Sequence, residues 1–114
     1  MSYGPVKVYP NSIAPGASTV SFVLDKSYSK IYADVGTMST AAELSVWGAV
    51  YSGGSFHQVT DRVKTATMQY QTLVIPTAIA ANGGCFEVPV YPSLQFRASA
   101  VVSGGVSFSL ICVD

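Results

Sequence analysis

From residue 18 onward the chain alternates hydrophobic and polar positions with a period of two. Val20, Phe22 and Leu24 are separated by Ser21 and Val23, and Asp25-Lys26-Ser27 then turns the chain. Ile31, Ala33 and Val35 alternate with Tyr32 and Asp34 up to Gly36. The run Leu44 to Tyr51, the polar turn Ser52-Gly53-Gly54-Ser55 and the run Phe56 to Val59 predict a hairpin. Thr65 to Ile75 is a long β-rich run closed by Pro76. Asn82-Gly83-Gly84 leads into Cys85 to Val90, which Pro89 and Pro92 confine to a sheet edge or strand end. Leu94, Phe96, Ala98, Ala100 and Val102 alternate with Gln95, Arg97 and Ser99, and Ser103-Gly104-Gly105 reads as a tight turn into Val106, Phe108, Leu110 and Cys112. This predicts a second hairpin. Only 38–44 and 77–81 look helical, and at that length they are loops or a single turn. About eight short strands separated by turn residues predict an all-β fold, an antiparallel β-sandwich with the jelly roll as a candidate arrangement.

Residues 1–17 read differently. Pro5, Pro10 and Pro15 recur every five residues, and proline fixes φ and removes a donor. The pattern predicts an extended N-terminal arm over 1–17, with at most a short edge strand at Val6 to Tyr9, followed by one sandwich domain over 18–114. The segment either lies along its own domain or, reaching about 55 Å when extended, grips a neighbouring subunit. Leu44 to Tyr51 breaks the usual alternation, because Trp47, Ala49 and Tyr51 make its second face as apolar as the first. That face is covered by the chain itself or by a subunit interface, where aromatic residues are enriched. The candidate interface residues are therefore Tyr3, Pro5, Tyr9, Pro10, Trp47 and Tyr51.

Composition sharpens this picture. Charged residues are 11% of the 114, hydrophobic residues 49%, and the formal net charge is zero. Disorder needs the opposite balance. Six basic side chains matched by six acidic ones do not build a basic patch, which argues against nucleic-acid binding. So little charge is unusual for a soluble monomer surface and points to an assembly. The first residues show no secretory pattern and no apolar run approaches a membrane span, so a soluble cytoplasmic product is expected. Cys85 and Cys112 lie among apolar neighbours, and both are expected to be buried free thiols rather than a disulfide.

Little in the chain carries chemistry. His57 is the single histidine, so no histidine-rich metal site can form, and neither a nucleophile elbow nor a phosphate-binding glycine loop occurs. The chain is expected to be non-catalytic, with no metal and no cofactor. Asp61-Arg62-Val63-Lys64 reads as a solvated loop, and Arg97 is expected to pair with Glu87 across a sheet. Seven Tyr, five Phe and one Trp leave open a carbohydrate-binding platform, although most fall on core-facing positions.

The stretch Glu43-Leu44-Ser45-Val46-Trp47-Gly48-Ala49-Val50-Tyr51-Ser52-Gly53-Gly54-Ser55-Phe56-His57-Gln58-Val59-Thr60-Asp61 resembles a strand–turn–strand pattern of small β-sandwich virion proteins of tailed bacteriophages. Phe96-Arg97-Ala98-Ser99-Ala100 and Ser107-Phe108-Ser109-Leu110 are similar to the closing strands of the same kind of protein. The turn at Tyr51-Ser52-Gly53-Gly54 departs from the pattern in lacking its aspartate. The resemblance covers about a third of the chain and implies a capsid decoration, or cement, protein of the virion. It would be made in the host cytoplasm, form a homo-oligomer (a trimer by this likeness) and bind the major capsid protein lattice, with no nucleic-acid or membrane partner. A carbohydrate-binding module and a tail or head-tail component are the alternatives.

Overall fold

The computed structural model describes residues 6–38, 40, 42–62, 70–72, 74–75 and 82–114. Eleven strands are described: β1 (Val6–Ile13), β2 (Thr19–Val23), β3 (Lys30–Val35), β4 (Leu44–Ala49), β5 (His57–Gln58), β6 (Thr60–Arg62), β7 (Tyr70–Thr72), β8 (Val74–Ile75), β9 (Gly84–Val88), β10 (Ser93–Ala98) and β11 (Val106–Val113). Every pairing is antiparallel. The first sheet has the order β1-β11-β3-β9, and the second has β2-β10-β4-β5 with β8 also on β4.

β5 and β8 flank β4 on one edge. His57 and Gln58 face Gly48 and Trp47, the Val59 amide donates to the Val46 carbonyl, and Val74 and Ile75 face Ser45 and Leu44. Together they form one edge strand, opened in its middle by β6 and β7, which pair with each other. Counted this way there are eight principal strands. The first pairs with the last, the second with the seventh, the third with the sixth and the fourth with the fifth. A long hairpin rolled up in this manner is a jelly roll.

The inward positions are those the alternation marks. Val20, Phe22, Ile31, Ala33, Val35, Leu44, Val46, Leu94, Phe96, Val106, Phe108, Leu110 and Cys112 are buried in one core between the sheets. Its centre is aromatic: Phe22 and Phe96 of one sheet meet Phe108 of the other, with ring centroids 4.7 to 6.1 Å apart. Burying each such ring contributes about 1.5–3 kcal/mol relative to exposure.

Two expectations change. The proline-spaced segment is part of the sandwich from Val6 on: β1 runs to Ile13 and pairs with β11 over eight residues. Pro10 is accommodated because β1 is an edge strand, and Ile13 is fully buried. The arm therefore does not extend over 6–17; residues 1–5 lie outside the described residues. The second hairpin is also not formed, since β10 and β11 belong to opposite sheets. Between them the chain turns a corner, pinned by Val102 donating to the Ala17 carbonyl and accepting from the Gly16 amide. Two strands facing each other across a core alternate in the same way as two paired strands, so the pattern does not distinguish them. The Ala-rich piece 38–44 contains no helix among its described residues, in line with its shortness, and 77–81 and the run 65–69 lie outside them.

Candidate interaction surfaces

The outward face of the second sheet is built in register. Ser21, Gln95, Trp47 and Gln58 form one row across four strands, and Thr19, Arg97, Ser45 and Val74 form the next. Ser21, Gln95, Trp47, Thr19, Arg97, Ser45 and Val74 are outward because a neighbour on the strand is buried, and Gln58 follows from its register opposite Trp47. The Arg97 guanidinium lies over the Trp47 ring, its Cζ 3.5 Å from the ring centroid. Arg97 Nε donates to Gln95 Oε1 at 2.6 Å, and Gln95 Nε2 donates to Ser21 Oγ at 3.0 Å. On the other side Trp47 Nε1 donates to Ser45 Oγ at 3.0 Å, and Ser45 Oγ donates to the Arg97 carbonyl at 3.2 Å. The half-buried stacked pair contributes about 0.5–2 kcal/mol. Beside it lies a cleft of about 180 Å³ lined by Glu43, Ser45, Gln58, Val74, Arg97, Ala98 and Ser99. Neither Arg97 nor Glu43 forms an ion pair among the described residues. The expected Arg97–Glu87 pair is absent because Glu87 lies on β9 of the opposite sheet.

The outward face of the first sheet carries an apolar corner. Val6 pairs with Val113 and Val8 with Ile111, all outward, and Tyr32 continues the second row. Val6 is 53% and Val8 49% exposed. Lys30, Asp34 and Glu87 rim this corner on β3 and β9.

At one end of the sandwich a polar cluster ties β1 to the β2–β3 turn. The Tyr9 and Tyr28 hydroxyls, 2.8 Å apart, and Asp25 Oδ1 form a triangle of hydrogen-bond contacts in which the two hydroxyl protons serve two sides at a time. Lys26 Nζ donates to Asp114 at 2.7 Å, and Lys7 lies 3.8 Å from Asp25. The hydrogen bonds from Tyr9 and Tyr28 hold the Asp25 carboxyl below its usual value, with Lys7 adding to them. Desolvation, then its bonds to Tyr9 and Asp25, push the Tyr28 hydroxyl far up. The bond to Asp114 raises Lys26. No group of three metal-ligating side chains comes together among the described residues.

Of the interface residues expected from sequence, Tyr3 and Pro5 lie outside the described residues. Tyr9 faces inward to Asp25 and Tyr28, leaving its neighbours Val8 and Pro10 outward. Trp47 is half-buried beneath Arg97. Tyr51 is not on the strand: β4 ends at Ala49, and Tyr51 opens a tight turn in which the Gly54 amide donates to its carbonyl at 3.0 Å. Gly53 supplies the φ of 79° that the turn requires. Tyr51 is 63% exposed. The structure thus separates residues that the sequence grouped, placing Pro10 and Trp47 on opposite faces of the sandwich. Val6, Val8, Ile111 and Val113 were missed, although their i, i+2 spacing on two strands was a usable signal. Both cysteines are free, but only Cys112 is buried, which pushes its thiol up to about 11. Cys85 is exposed because Phe86, its neighbour on the strand, takes the inward position.

No family model matches the chain, and no curated protein matches it. Among solved structures the chain is similar to the SPBc2 prophage-derived protein YomS, with 16% identity and a TM-score of 0.56 over 100% of this chain and 99% of that one. A likeness at that identity establishes a shared fold: the complete sandwich, end to end, is the fold of a prophage-derived protein.

Proposed function

We propose that this chain is a structural, non-catalytic protein of a tailed-phage virion, decorating and stabilising the capsid as a homo-oligomer, with a trimer as the expected stoichiometry. The observation that carries the reading is the end-to-end likeness to a prophage-derived protein. The low charge and the outward corner of exposed Val6 and Val8 with half-buried Ile111 and Val113 support self-association, since apolar surface rimmed by polar residues marks contact sites. The partners are further copies of the chain and the major capsid protein, with no nucleic acid and no membrane, and the site of residence is the virion.

The test is the mass in solution by light scattering, followed by co-sedimentation with undecorated capsids. A species near three times 11.9 kDa is expected, with Val8→Lys shifting it toward the monomer while the β circular dichroism is retained. Removing residues 2–16 is not a clean test, because it would delete β1 from its sheet. A monomer that also fails to sediment with capsids would overturn the reading.

A further inference from the structure

We propose that the cleft beside Arg97 and Trp47 binds a single neutral sugar ring, a second activity independent of the virion reading and on the opposite sheet. At about 180 Å³ the cleft is smaller than the usual drug-sized site, so its ligand is small. Its chemistry narrows the class. Arg97 offers guanidinium donors and Glu43 a carboxylate acceptor, both lining the same cleft and neither ion-paired among the described residues. An anionic ligand would meet the Glu43 carboxylate, and a cationic one the Arg97 guanidinium. A neutral ring with adjacent hydroxyls suits both, because each hydroxyl donates and accepts. The Gln58 amide and the Ser99 hydroxyl add groups that also do both, while Val74 and Ala98 offer apolar surface to the C–H face of a ring.

The donors are held in advance. Gln95, itself bonded to Ser21, fixes Nε of Arg97, and Trp47, itself bonded to Ser45, lies beneath the guanidinium. A ligand therefore orders little of the protein on binding, which is what a weakly bound polar ligand requires. Trp47 is the single tryptophan of the chain, so its fluorescence reports directly on the guanidinium stacked over it.

The experiment titrates the full chain with glucose, galactose, mannose and N-acetylglucosamine, and separately with acetate, following Trp47 emission. A saturable change with at least one sugar is expected, with a Kd on the order of 1 mM for so small a ligand. Arg97→Lys, which loses the planar fork and the stack, should weaken it about tenfold. Glu43→Gln, at an exposed position whose backbone bonds are unchanged, should also weaken sugar binding and covers the case in which the Arg97 variant does not fold. No response to any of the four sugars overturns the proposal. Saturation by acetate, tightened by Glu43→Gln, overturns it equally and makes the cleft a carboxylate site.

Discussion

Gly48 lies in the middle of β4, where a glycine ordinarily weakens a strand, and replacing it by alanine turns a packing argument into a sign. A Cβ on Gly48 would sit 2.7 Å from Cγ of Tyr91 and 2.9 Å from both Cδ atoms. Carbon contacts are comfortable near ~3.5–4.0 Å, so the ring would have to withdraw by about 1 Å. It has little freedom to do so. Tyr91 packs against the core, and Pro92 restricts its backbone to extended conformations. Overpacking of this kind costs ~1–3 kcal/mol. Against it stands the gain from replacing a strand glycine, about 0.5–1 kcal/mol. Taking the middle of each range, the net expectation for Gly48→Ala is a loss of roughly 1 kcal/mol (bounds ~0–2.5), a fall in Tm of some ~3–8 °C for a domain of this size. Thermal unfolding at fixed protein concentration, followed by circular dichroism and by Trp47 emission, measures it. In a Tyr91→Ala background the clash is gone and the same substitution should become stabilising. A rise in Tm in the wild-type background, or an equal penalty in both backgrounds, would refute the account of the ring filling the space that Gly48 leaves.

Two further outcomes follow from the titratable groups. Because the folded Asp25 carboxyl is held below its ordinary value of 3.8, its contribution is complete above that pH and is lost as pH falls through the lowered value. Tm should therefore drop below about pH 4 in the wild type, and Asp25→Asn should flatten that drop; identical acid limbs would dismiss the Tyr9–Tyr28–Asp25 cluster as a source of stability. For the thiols, a disulfide exchange reagent should titrate one equivalent, Cys85, in the native protein and a second, Cys112, only after unfolding. Two equivalents released together without denaturant would contradict the burial of Cys112.

The period-two alternation was enough to place nearly every core residue, because a strand shows one face to the core whatever its partner. Ile31, Ala33 and Val35, or Phe108, Leu110 and Cys112, are inward as their spacing requires. Pairing was less legible. In a jelly roll the partners of a strand lie far away in sequence, with β1 on β11 and β2 on β10, so neither strand of such a pair records the other. The hairpin at 44–59 was legible because its turn is local, and the one at 94–112 was misread because a sheet-switching corner also uses Ser and Gly. Trp47 shows the same limit at the level of a site. Its apolar character on an outward face was visible, but its cover, Arg97, comes from fifty residues away and was assigned to Glu87 for want of a sheet assignment. Cys85 failed for a simpler reason: composition marks a neighbourhood as apolar without saying which of two adjacent residues points inward.

The two outward faces divide the surface between two kinds of chemistry. The first sheet ends in an apolar corner of valine and isoleucine with charges only along its rim; the second carries glutamine, serine and arginine around one tryptophan. The layers of a sandwich stack about 10 Å apart and face opposite ways. Docking through Val6, Val8, Ile111 and Val113 therefore leaves the Arg97 cleft on the far side of the domain, open to solvent. The period-two alternation makes this separation stable to mutation, since no single substitution moves a residue from one face to the other. Charge placement agrees with it. Both described ion pairs sit at one end of the sandwich, on Asp25 and Asp114. The two surfaces should consequently be separable by substitution: Val8→Lys should change the mass and leave the Trp47 titration intact, and Arg97→Lys should do the reverse. Loss of both properties in either single variant would mean that the faces are not independent, and that the cleft is completed by a neighbouring copy.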